Sequence, residues 1–195
     1  MTWPAEESDI PVRDVTPVDG HLTYDEGIHV GYRAWLKAGR QPAFPFGHGM
    51  GYTEWEVSDL TATSLSPRGS SEVSVQVANV GTRRGKCVIQ FYLERVSASS
   101  VQRPVRWLAG FETMRLGAGE VKSIRTLVPW RCFAHWEAGS WRVEPGEYRL
   151  VSSLTSAETE ISSPIVITDG QFDDPVVEPS VTRVHSGAQV ADGVS

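Results

Sequence analysis

Val73-Ser74-Val75-Gln76-Val77-Ala78-Asn79-Val80-Gly81, followed by Cys87-Val88-Ile89-Gln90-Phe91-Tyr92-Leu93-Glu94, decides the fold class of this chain. Val73, Val75 and Val77 alternate with Ser74 and Gln76. Cys87, Ile89, Phe91 and Leu93 alternate with Gln90, Tyr92 and Glu94. Successive side chains of a strand point to opposite faces, so period 2 with one apolar face marks a half-buried antiparallel strand. Asn79-Val80-Gly81 supplies a residue tolerant of the left-handed region and a glycine, which is turn chemistry.

Working outward, the same pattern recurs. Ile124, Thr126 and Val128 alternate with Arg125 and Leu127, and Tyr148 and Leu150 with Glu147 and Arg149; Ile161, Ile165 and Ile167 suggest a last strand. Gly117-Ala118-Gly119 and Pro145-Gly146 punctuate them. With strands at Glu54–Leu60 and near Val105–Phe111, about seven short strands are expected, the number in an immunoglobulin-like sandwich. No run has a sustained helical period. The fold class is therefore all-β: a sandwich over residues 54–167, a lead-in over 1–53 that is extended over residues 1–23, and a disordered acidic tail over 168–195.

The chain has 195 residues, 40% of them apolar, with seven Trp, enough for one domain with a real core. Its net charge is −6. Residues 1–26 carry Glu6, Glu7, Asp9, Asp14, Asp19, Asp25 and Glu26 against Arg13, and residues 168–195 carry five acids against Arg183. The middle is mildly basic, but its one cluster, Arg83-Arg84 with Lys86, reads as a solvated turn. Nucleic acid needs a basic stripe, so no nucleic-acid partner is expected. No apolar run is long enough to span a membrane and no secretory signal opens the chain, so a cytoplasmic protein is expected. Cys87 reads as a buried small hydrophobe; a Cys87–Cys132 bridge stays open from sequence.

Two further stretches carry a resemblance. They are Tyr24-Asp25-Glu26-Gly27-Ile28-His29-Val30-Gly31-Tyr32-Arg33 and Phe44-Pro45-Phe46-Gly47-His48-Gly49-Met50-Gly51-Tyr52-Thr53. They resemble the Y-x-E-G-I-x-V-G-Y-R and F-P-F-G-x-G-L-S-Y-T signature of family 3 glycoside hydrolases of the β-glucosidase type. Val73–Gly85, Val88–Tyr92, Arg103–Phe111, Leu116–Glu120 and Val143–Tyr148 match later motifs of that family in the same order. Met50-Gly51 departs from the usual Leu-Ser, and Thr126 stands where a bulky apolar residue is usual.

The resemblance implies the end of an α/β catalytic-side domain, then a fibronectin type III-like sandwich. It implies that the catalytic Asp and Glu lie on a TIM barrel and an α/β domain upstream of Met1. No catalytic residue is therefore expected here, and those domains, on the same or a separate chain, are the expected partners. A retaining glycosidase needs two carboxylates about 5 Å apart, and Glu26 alone is better read as fixing its turn and pairing with Arg33. Tyr24, Glu26, Tyr32, Arg33, Phe46, His48 and Tyr52 are candidates for docking on the catalytic side. Trp130, Trp136 and Trp141, in one loop-rich segment, are weaker candidates for stacking on β-glucosides or glucans. The five histidines show no ligand spacing, so neither metal nor cofactor is expected. A free-standing carbohydrate-binding module and one half of a split glycosidase remain the alternatives.

Overall fold

The structure, a computed structural model, describes residues 1–11, 16–65, 69–159, 161–168 and 172. The strands are β1 (Trp55–Ala62), β2 (Ser70–Asn79), β3 (Gly85–Arg95), β4 (Trp107–Leu116), β5 (Val121–Pro129), β6 (Ala134–Glu137), β7 (Ser140–Val143), β8 (Gly146–Ser153) and β9 (Ile161–Ile167). One sheet runs β1-β2-β5 and the other β4-β3-β8-β9, with every neighbour antiparallel. The all-β sandwich is borne out. The acidic tail beyond Thr168, Phe172 apart, lies outside the described residues.

The alternation places the core. Val73, Val75 and Val77 of one sheet face Cys87, Ile89, Phe91 and Leu93 of the other, all fully or nearly fully buried. Phe133 and Tyr148 close one end, ring edge on ring face at 5.3 Å. Thr126, polar where the core wants bulk, donates its hydroxyl to Glu112 Oε1 across the sheet edge at 3.0 Å. Cys87 and Cys132 are free thiols, and burial raises both thiol pKa values.

Three local readings need correction. No run shows a helical period, yet the lead-in contains a helix, α1 (Tyr32–Ala38), closed by Gly39 at φ 61°, whose N–H reaches the carbonyls of Leu36 and Trp35. Two turns are too short to show a period; the helix is held by burying Ala34 and Trp35. The segment around Trp136 is not loop-rich but a hairpin, β6–β7, turning through Ala138 and Gly139 with φ of 47° and 81°. Those are the positive angles of a type I′ turn, hidden because Ala replaces the usual Asn or Asp. Asn79 is not a left-handed turn residue but a buried hub. Its Nδ2 donates to Arg83 O (2.7 Å) and Leu116 O (3.1 Å), while its Oδ1 accepts from Thr53 Oγ1 and Gly81 N.

Candidate functional site

The lead-in folds back over the outer face of the four-stranded sheet. Tyr32 stacks on Phe46 at 5.5 Å and meets Tyr92 of β3 edge-on at 6.0 Å. The Tyr32 hydroxyl accepts from Leu108 N–H at 2.9 Å, and Phe46 O accepts from Ser156 N–H at 2.8 Å. Gly47, at φ 94°, lies where an added Cβ would come within 2.1 Å of Gln90 Nε2 and 2.6 Å of Leu154 O. Only glycine permits that approach. Beneath it Gln90 donates to Leu154 O at 2.7 Å and accepts from the Tyr92 hydroxyl. Burial, then the neighbouring Tyr32, raise the Tyr92 pKa.

The docking candidates therefore divide. Tyr32 and Phe46 are half-buried against the chain's own sandwich. Arg33 lies 6.0 Å from the Tyr32 ring. Tyr24 and Tyr52 are 73% and 87% exposed, and His48 is exposed beside Phe44 at 5.0 Å. Glu26 is half-buried; its carbonyl accepts from His29 N–H at 2.9 Å, and the described residues show no Glu26–Arg33 ion pair.

Sequence reasoning missed His29. It is 5% exposed, its Nε2 lies 3.3 Å from Gln102 Nε2, and its Nδ1 has no hydrogen-bond partner among the described residues. Desolvation, then Lys37 and Arg33, lower its pKa. It helps line a cavity of about 320 Å³ among Leu22, Tyr24, Glu26, Val30 and Trp35. A single His between apolar residues gives no sequence signal of such burial.

The three tryptophans also part company. Trp130 sits in the 3-10 turn after β5 and packs against the core. Trp136 and Trp141 pair across β6–β7, edge-on at 5.3 Å, with Trp136 60% exposed and Arg131 4.3 Å from the Trp141 ring.

Two carboxylates, buried Glu94 and half-buried Glu144, are committed to cations. Glu94 accepts from Arg106 Nε and Arg149 Nε, each at 2.7 Å. Arg106 also donates to Ser156 O, Glu158 O and Thr159 Oγ1, tying residues 156–159 to β4. Glu144 accepts from Ser100 N–H (2.7 Å), Ser99 Oγ (2.7 Å) and Arg103 Nε (3.2 Å). Desolvation opposes its charge, but the Ser100 and Ser99 hydrogen bonds and Arg95 outweigh it and hold the pKa at about 2. A carboxyl held ionised this way is a clamp, not a proton donor near neutral pH. No group of His, Cys, Asp and Glu among the described residues is arranged to hold a metal ion.

The family description "Fibronectin type III-like domain" matches residues 87–153, from β3 through β8. The sandwich is a fibronectin type III-like domain. Thermostable beta-glucosidase B of Acetivibrio thermocellus is 39% identical over 144 residues, 72% of this chain and 19% of that protein. Probable beta-glucosidase H of Emericella nidulans is 32% identical over 193 residues, 96% of this chain and 22% of that protein. DesR, a beta-glucosidase from Streptomyces venezuelae solved in complex with D-glucose, superposes with a TM-score of 0.79 at 34% identity, over 85% of this chain and 22% of its own. A GH3 beta-glucosidase of Bifidobacterium adolescentis gives 0.77 at 26% identity, over 85% and 25%. The chain thus spans about a fifth of the curated relatives it matches. It is similar to the C-terminal part of family 3 β-glucosidases.

Proposed function

We propose that this chain is the C-terminal structural module of a β-glucosidase-type glycoside hydrolase, docked through its lead-in on the TIM-barrel and α/β catalytic body. The lead-in carries the argument. One side grips the sandwich through Tyr32, Phe46 and Gly47, while Tyr24, Val30, Phe44, Met50 and Tyr52 stand exposed. Exposed apolar side chains on a firmly anchored segment are what a covered interface leaves when its partner is removed. The module buttresses the catalytic body and hydrolyses nothing alone. Cytoplasmic residence belongs to the same proposal, supported by the free thiols of Cys87 and Cys132.

Two measurements test it. The chain alone is expected to leave a nitrophenyl β-glucoside intact; turnover abolished by Glu26→Gln would overturn the proposal. A chimera of the Acetivibrio thermocellus enzyme, its matching region replaced by this chain, is expected to hydrolyse the same substrate. A folded but inactive chimera would count against docking. The exposed Trp136 favours a second reading, a glucan-stacking surface, which a glucan titration against Trp136→Ala decides.

A further inference from the structure

Arg83-Arg84 and Lys86 read from sequence as a solvated turn, but strand pairing changes their company. Lys86 lies directly across from Arg115 in the β3–β4 ladder. Neither of them, nor Arg84, makes an ion pair among the described residues. Like charges directly opposite each other destabilise an antiparallel pair. Arg84, Lys86 and Arg115 line one open groove of about 650 Å³, and no carboxylate lines it among the described residues.

Its other side is apolar. Met50 and Tyr52, 96% and 87% exposed, and the half-buried Trp55 line it. The groove is built rather than left over. A Cβ on Gly85 would meet Thr53 Cγ2 at 2.6 Å and Trp55 Cζ2 at 2.9 Å, so the β3 backbone presses directly on both side chains. Thr53 is itself tied to the Asn79 hub. The indole is thereby held beside the cations.

We propose that this groove seats an acidic polypeptide segment of the catalytic body, with carboxylates against Arg84, Lys86 and Arg115 and an apolar side chain against Met50, Tyr52 and Trp55. The source of the segment rests on the docking reading above. Met50–Thr53 continue the lead-in, so the groove adjoins the face that reading leaves exposed. A carboxylate between Lys86 and Arg115 turns a repulsive cross-strand pair into a bridged one, and Arg donates to it in a fixed, bidentate geometry. Such a contact sets register and partner choice more than bulk affinity. Met50 and Tyr52 give it the apolar centre that a small inorganic anion would not use.

The test follows the backbone amide signals of Gly85, Lys86 and Arg115 in the full chain at low salt. Three probes are titrated: the blocked peptide Ac-Glu-Glu-Phe-Glu-Glu-amide, its all-glutamine counterpart and sodium phosphate. The acidic peptide is expected to shift these signals saturably and the glutamine peptide to leave them in place. Lys86→Glu and Arg115→Glu are each expected to weaken the acidic peptide by about tenfold or more. Lys86→Glu is also expected to raise the Tm of the free chain, because the ladder then holds opposite charges. Unmoved signals, undiminished binding by the variants, or equal shifts from phosphate alone would overturn the proposal, the last by making the groove a small-anion site. Chimera activity reports docking and the peptide titration reports the groove, so either can fail without the other.

Discussion

The two halves of β3 differ in what covers them. From Gly85 to Ile89, buried Cys87 and Ile89 alternate with exposed Lys86 and Val88. From Gln90 to Glu94 every residue is buried. The inner face is the same throughout; the outer face changes. Tyr32, Phe46 and Gly47 of the lead-in and residues 154–159 lie over Gln90, Tyr92 and Glu94, and nothing comparable among the described residues covers Val88. The boundary placed after residue 53 follows the strand pattern, but packing runs across it.

The largest expected effect breaks that comparison outright. A chain beginning at residue 54 uncovers Tyr92 and loses the burial of Tyr32 and Phe46, at ~1.5–3 kcal/mol for each large side chain. It is expected to be about 4 kcal/mol less stable than the full chain by urea denaturation. A melt within a few degrees of the parent would show that the sandwich stands without its lead-in.

Glu94→Gln is expected to cost about 3 kcal/mol, because it leaves Arg106 buried beside a neutral partner. Exchange of backbone amides should then speed first in residues 154–159, which Arg106 ties down. Global loss with no such bias would separate that segment from the cover of β3.

Tyr32→Ala and Val88→Ala sharpen the contrast between the halves. The first removes a ring packed between Phe46 and Tyr92 and is expected to cost about 2 kcal/mol. The second trims an exposed side chain on the uncovered half and should stay within about 0.5 kcal/mol. Equal effects would mean that the two halves do not differ.

The smallest effect is a pH slope. His29, tied to Gln102, has its pKa lowered below the ordinary 6.5 by burial and by Lys37 and Arg33. The unfolded chain therefore binds the proton more readily. The His29 contribution is complete above about pH 6.5 and declines as pH falls through that value toward the folded pKa. His29→Phe should flatten stability against pH in that window; an unchanged slope would assign it to other groups.

Much of the sandwich was legible because period 2 is local. Each run, such as Val73–Val77, reports its own buried face, and the β2 and β3 cores lie where that alternation puts them. The hairpin turn at Ala138-Gly139 was not legible, since its positive φ is carried by a residue that does not advertise it. Nor was the role of Asn79: Asn-x-Gly suits both a turn and a hub, and only Thr53, Arg83 and Leu116 arriving from three directions choose between them.

From sequence alone came the strand faces, the all-β class and the collinear motifs that align this chain with a β-glucosidase C-terminal part. Tertiary structure alone decided that Tyr92 and Gln90 are covered, that His29 is buried, that Trp136 meets Trp141 while Trp130 does not, and that Lys86 faces Arg115. The reason is range. A strand's period records only that one face meets a core, whereas the cover of the other face and the neighbour across a ladder come from distant segments, whose arrival no local pattern encodes.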